Sequence, residues 1–165
     1  MGSEFLTLAA KYPPRIVANH QLSDISKDEL DSINLNVACL CGTEKHFVEG
    51  IADVDLGLLC PISTNCPACH TENTIFDVNV HGYDGEFGHV SSYPEFEGKR
   101  DRLTCKQCDC KLFKVTIRLS YQFEDMTGFD DIPVDEIPNY FDTFGMVLEC
   151  SECTTEIHIG DYECA

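Results

Sequence analysis

The sequence predicts a mainly β chain with a short N-terminal helix, built as two small antiparallel modules. Each module is pinned by four cysteines on one metal ion. Three observations carry this. Cysteines fall in four tight clusters: Cys39-Leu40-Cys41-Gly42, Cys66-Pro67-Ala68-Cys69, Cys105-Lys106-Gln107-Cys108-Asp109-Cys110 and Cys150-Ser151-Glu152-Cys153. Runs that are β-branched, aromatic and alternating in polarity follow the turns. Helix signals concentrate in one N-terminal stretch. In order, the clusters make two repeats: a cysteine turn, a β-rich segment, a longer excursion, then a second turn.

The metal reading follows from geometry. Two sulfurs about 2.3 Å from one ion must come from a chain that doubles back within a few residues. Two such turns, facing each other, complete a tetrahedron. The spacing assigns Cys39, Cys41, Cys66 and Cys69 to one site, and Cys105, Cys108, Cys150 and Cys153 to the other. Cys110 rivals Cys105, because Cys108-x-Cys110 mirrors Cys39-x-Cys41. His46 and His70 lie beside ligand turns and are alternatives to a thiolate. Cys60 and Cys164 remain as plain thiols. Four thiolates suit zinc or iron, and two zinc ions per chain are expected. A closed four-sulfur site stabilises the fold and leaves no position for catalysis.

Composition sets the bounds. The 165 residues suffice for one ordinary domain or two small ones. The 11 cysteines are odd in number and no signal peptide is visible, so a disulfide scaffold fits poorly and a reduced, cytoplasmic protein is expected. No apolar run approaches the roughly 18 residues of a membrane span. The chain carries 29 acidic and 11 basic residues, a net charge of −18, which repels phosphate backbones. Lys99, Arg100, Arg102, Lys106, Lys111, Lys114 and Arg118 form one basic stripe. No Lys or Arg follows Arg118.

The elements are read in order. Met1-Gly2-Ser3-Glu4-Phe5 reads as a vector scar and is set aside, leaving an N-terminal extension over 6–35. Tyr12-Pro13-Pro14 is extended. A two-turn helix is expected over 25–33, with Ser26 and Glu29 as a capping box and Ile25 and Leu30 as a staple. The first module covers 36–82. In it Gly42 lets the tight Cys39-x-Cys41 turn close, and strands are expected at 46–49 and 74–80. A glycine-rich, acidic and aromatic linker follows over 83–98. It does not match a phosphate-binding loop. The second module covers 99–165. Its clearest strand is 112–121, with Phe113, Val115, Ile117, Leu119 and Tyr121 on one face and Lys114, Thr116 and Arg118 on the other. An acidic insertion over 124–142 is kept irregular by Pro133 and Pro138. A final strand spans 155–162.

The second repeat, with Cys105-Lys-Gln-Cys108, Phe113 and its strand, and Leu148-Glu-Cys150-Ser-Glu-Cys153 before a closing strand, resembles a zinc ribbon of the rubredoxin-like kind. The first repeat resembles it less closely. The resemblance covers about 70% of the chain and implies three-stranded antiparallel sheets, each pinned by one zinc on four cysteines. The chain departs from the pattern in its Cys-x-Cys first turn, in lacking glycine after Cys69, Cys108 and Cys153, and in the long acidic insertion.

Zinc ribbons serve many tasks, so the fold alone names none. No enzyme is expected. Cys66-Pro-Ala-Cys69 lacks the strand-to-helix setting of a redox dithiol. His46-Phe-Val-Glu49 is one residue too long for a deaminase motif. The expected function is a zinc-stabilised acidic interaction module that binds and inhibits a basic protein partner, in the manner of an immunity protein, an antitoxin or a phosphate mimic. Asp130, Asp131, Asp135 and Glu136 would supply charge, and Phe129 and Tyr140 apolar anchors. The alternative is a nucleic-acid-associated ribbon that uses the stripe over 99–118 within a larger assembly.

Overall fold

The computed structural model describes residues 2–27, 32–53, 57–77, 97–121 and 130–163. The chain opens with helix α1 (Gly2–Lys11), whose charges suit the helix dipole: Glu4 lies in the first turn and Lys11 in the last. Ala9 is fully buried beneath it. This helix takes in residues that were set aside as a vector scar. The helix expected over 25–33 does not form where it can be seen. Ile25, Ser26 and Lys27 end strand β1 (His20–Lys27), and Ile33 begins β2 (Ile33–Cys39), the two strands pairing antiparallel. The positions 28–31 of that predicted helix lie outside the described residues. The reason is tertiary. Ile33, Leu35 and Val37 alternate into the core only as a strand.

The remaining strands are β3 (Lys45–Asp53), β4 (Gly57–Asn65), β5 (Glu72–Phe76), β6 (Arg100–Arg102), β7 (Phe113–Ser120), β8 (Thr143–Cys150) and β9 (Glu156–Glu163). All pairings among these strands are antiparallel. Among the described residues the chain is thus mainly β with one short N-terminal α-helix. β7 sits at the centre, and its alternation is as predicted: Phe113, Val115, Ile117 and Leu119 are buried, and Lys114 is exposed. The strand expected over 74–80 is β5; positions 78–80 and most of the 83–98 linker lie outside the described residues.

The two repeats are interlocked within one sheet. Within each, a hairpin lies beside the strand that leaves the first cysteine turn: β4–β5 beside β3, and β8–β9 beside β7. The strand entering that turn crosses over. β2, which ends at Cys39, pairs with β7 of the second repeat, and β6, which leads to Cys105, pairs with β3 of the first. The correspondence holds residue by residue. Val48 faces Thr64, and Val115 faces Leu148; Val37 faces Val115, and Leu103 donates its amide to the Val48 carbonyl at 2.8 Å. On this alignment His46 and Phe113 are equivalent, and they pair with each other where β3 meets β7. The sheet therefore has an internal pseudo-twofold axis through that pair.

The core is continuous across the repeats. Phe76 of β5 stacks on Phe144 of β8 with ring centroids 4.0 Å apart, and Tyr162 of β9 closes on Phe76 at 5.2 Å. In the acidic insertion, a 3-10 turn at Ile137–Asn139 buries Ile137, and Phe141 follows it into the core. Arg15 ties this turn to the N-terminus. Its amide donates to Asn139 Oδ1 at 2.7 Å, and its guanidinium pairs with Glu136.

Candidate metal centres

Each cysteine turn is closed by its own backbone. The Cys66 amide donates to Thr71, and His70 donates back to Cys66; Cys105 and Asp109, and Cys150 and Thr154, repeat the pattern at 2.8–3.0 Å. His70, Asp109 and Thr154 hold φ of 60°, 59° and 57°, at the positions where the sequence lacks the expected glycine. The left-handed residue is thus kept even without glycine, at a cost in strain that is greatest for β-branched Thr154. The first turn is one residue shorter. Cys39 donates to Thr43 at 2.8 Å, and Gly42 takes φ 90°. This is how Cys39-x-Cys41 presents two sulfurs where the others need Cys-x-x-Cys.

The turns meet in pairs at the sheet ends. Cys39 Sγ lies 3.4 Å from Cys69 Sγ, and Cys41 Sγ 3.6 Å from Cys66 Sγ. Cys105 Sγ lies 3.6 Å from Cys153 Sγ, and Cys108 Sγ 3.5 Å from Cys150 Sγ. Within each group all four sulfurs lie within 4.8 Å of one another. A disulfide would be about 2.05 Å, whereas sulfurs on a tetrahedron of 2.3 Å bonds are about 3.8 Å apart. The ten described cysteines are unbridged. These two groups, the eight cysteines chosen from the spacing, could each hold a metal ion.

Electrostatics point the same way. The Cys41 amide favours the Cys39 thiolate, but burial and the sulfurs of Cys69, Cys41 and Cys66 push the thiol up to about 12. Burial also opposes ionisation of Cys66, yet the amides of Cys69 and Ala68 and the Thr43 hydroxyl bring it down to about 6. In the second group the Cys110 amide favours the Cys108 thiolate, but burial and Cys153, Cys150 and Cys105 push it up to about 12; Thr155 brings Cys153 down to about 6. Four sulfurs this close cannot all carry charge together unless a cation sits among them.

Three threonines, unnoticed in the sequence, hold the outer thiols. Thr43 Oγ1 lies 3.2 Å from Cys41 Sγ, Thr71 Oγ1 3.2 Å from Cys69 Sγ, and Thr155 Oγ1 3.2 Å from Cys153 Sγ. Each stands two residues after the second cysteine of its turn, a spacing that was legible. In the remaining turn that position is Cys110. Its sulfur faces Ser151 Oγ at 3.5 Å and the Leu112 amide at 3.4 Å. Cys110 therefore stands in the place of a threonine beside the second group, and Cys105, its rival, is the one that belongs to the four-sulfur group. His70 is exposed outside the first group. His46 is buried and hydrogen-bonded to the Val37 backbone, also outside it.

Comparison with known families, known proteins and solved structures finds no match to this chain. Its chemistry rests on its own residues.

The partner-facing residues named from the sequence fall into two sets. Asp130, Asp131 and Asp135 are exposed around Val134, which is 54% exposed. Glu136 is held by Arg15, and Tyr140 packs half-buried against the core. Phe129 lies outside the described residues. Three of the seven residues of the basic stripe meet acids: Arg102 meets Glu49 at 2.6 Å, Arg100 meets Glu72 at 3.6 Å, and Lys114 meets Glu149 at 3.5 Å.

Proposed function

We propose that the protein is a zinc-stabilised β scaffold that presents an acidic loop to a basic protein partner. Zinc is the occupant that four thiolates with no redox partner favour. Reduced thiols fit a cytoplasmic setting. The reading is carried by one observation: three exposed carboxylates, Asp130, Asp131 and Asp135, flank the exposed Val134 in sequence on a segment fixed from behind. Ile137 and Phe141 anchor that segment in the core, Tyr121 donates to the Pro138 carbonyl at 2.9 Å, and Arg15 clamps Glu136. A pre-ordered loop loses little entropy on docking, and its charges speed encounter. Inhibition of the partner, by covering a phosphate-binding surface, is the use such an acidic loop suits. The nucleic-acid reading has less support, because Arg100, Arg102 and Lys114 already face carboxylates.

The test uses poly-L-lysine and duplex DNA as probes at low and physiological salt. The variant D130N/D131N/D135N is expected to bind poly-L-lysine several-fold more weakly, with a flatter salt dependence. A control neutralised elsewhere, D24N/E44Q/E156Q, should lose less, and DNA should not be retained. Equal losses in the two variants would overturn the reading.

A further inference from the structure

The crossed strands bear on how the two cysteine groups fill. Each group needs two turns to meet. In the first, the Cys66–Cys69 turn rides on β4, which is paired to β3 of its own repeat. The Cys39–Cys41 turn closes the end of β2, and β2 pairs with neither β3 nor β4. Among the described strands it is held by β1 and by β7 of the second repeat. The second group repeats this in reverse. Cys150–Cys153 rides on β8, paired to β7, while β6, which delivers Cys105, is held by β3 of the first repeat.

Side chains reinforce both crossings at equivalent places. Arg102 on β6 forks onto Glu49 Oε1 at 2.9 and 2.6 Å and stacks over the Phe47 ring at 4.0 Å. Thr116 on β7 donates to Asn36 Oδ1 on β2 at 2.5 Å. By the residue correspondence of the two repeats, Asn36–Thr116 and Arg102–Glu49 are the same clasp, once on each side of the axis. Glu49 and Arg102 are only partly exposed.

We propose that the two metal sites fill as one cooperative unit: an ion in either group orders the strand that delivers a ligand turn to the other. An ion on Cys39, Cys41, Cys66 and Cys69 fixes β2 and β3 relative to β4. β3 then presents the edge that β6 needs, and β2 buttresses β7. The reverse holds for the second group. Binding at one site thus lowers the ordering cost at the other, and by linkage the effect is mutual.

This rests on reading the groups as zinc sites, and two measurements separate that reading from the coupling. Native mass spectrometry of fully loaded wild type should show two zinc ions per chain; fewer would remove the zinc reading itself. For the coupling, C66S/C69S and C150S/C153S each leave one group complete. Competition with a zinc chelator is expected to show the surviving group binding at least tenfold more weakly than the same group in wild type, in both directions. A change within twofold in both would overturn the coupling. Since a serine pair can itself disturb folding, a second test keeps all eight ligands and cuts the clasps with N36A/E49Q. At one zinc per chain, the chain carrying a single ion should rise several-fold over wild type, while excess zinc still loads both sites. An unchanged distribution would overturn the proposal.

Discussion

At the scale of single residues, the four turns are one device with one substitution. Thr43, Thr71 and Thr155 place a hydroxyl 3.2 Å from the outer cysteine of their turns, and Cys110 stands in that place beside Cys108. A hydroxyl donating to a thiolate favours the ionised, metal-binding form. Removing one from a partly exposed site costs about 1 kcal/mol, a several-fold change in affinity. T155A is therefore expected to release zinc from the second site several-fold faster to a chelator than wild type does. C110T should keep two ions, since Cys110 lies outside the four-cysteine group, and should slow release. Loss of an ion in C110T would show that Cys110 belongs to the coordination sphere. The two four-cysteine groups were readable from sequence because the geometry of a metal tetrahedron fixes such a spacing. The threonines carry the same periodicity, but a polar residue in a turn has many reasons to be there, so spacing alone did not single them out.

At the scale of elements, β3, β7 and β9 were legible because each alternates over a buried face, and β5 because its run is β-branched and aromatic, although its buried residues, Ile75 and Phe76, are consecutive. β1 was misread. Ile25, Ser26, Glu29 and Leu30 satisfy a local capping pattern, but Lys27 pairs with Ile33 and Ser26 with Asn34, and the burial of Ile33, Leu35 and Val37 outweighs a marginal two-turn helix. The crossing of β2 and β6 was not readable at all, since strand partners across repeats leave no local signal. That crossing brings two buried histidines together. His20 of β1 meets Thr64 of β4 at 3.0 Å, and its ring centroid lies 6.0 Å from that of His46 on β3. Burial, with His46 nearby, lowers His20 to about 4. Unfolded, it titrates near 6.5. Its neutral form therefore contributes full stability above about pH 6.5. That contribution is lost as pH falls from 6.5 towards 4, where the unfolded chain binds a proton and the folded chain does not. Unfolding of wild type and H20Q, followed in urea from pH 7 to 4.5, should show the stability gap between them shift against wild type by about 1–2 kcal/mol after allowance for solvent screening. Metal ligands titrate in both proteins and cancel. A gap that does not move with pH would mean that His20 is protonated in the fold.

At the scale of the whole molecule, metal ions in the two cysteine groups would outweigh the other terms. A small β domain is stable by about 5–15 kcal/mol in all, while a structural zinc site contributes roughly 10 kcal/mol or more on its own. Zinc in both groups would therefore exceed what the rest of the fold can supply. The core under the sheet is sound, with Phe76, Phe144 and Phe113 fully buried, yet the four turns gather eight sulfurs at its ends. A net charge of −18 adds self-repulsion to the folded state. Removing the ions with a strong chelator at neutral pH is thus expected to unfold the whole sheet, not only the turns, because β2 and β6 tie each repeat to the other. Near-UV circular dichroism of the tyrosines should collapse together with the far-UV β signal, in one transition, and added zinc should restore both. Fluorescence from tryptophan is no guide, since the chain has none. A chelated protein that keeps its near-UV signal would show that the interlocked core stands by itself and that the ions only fasten its ends.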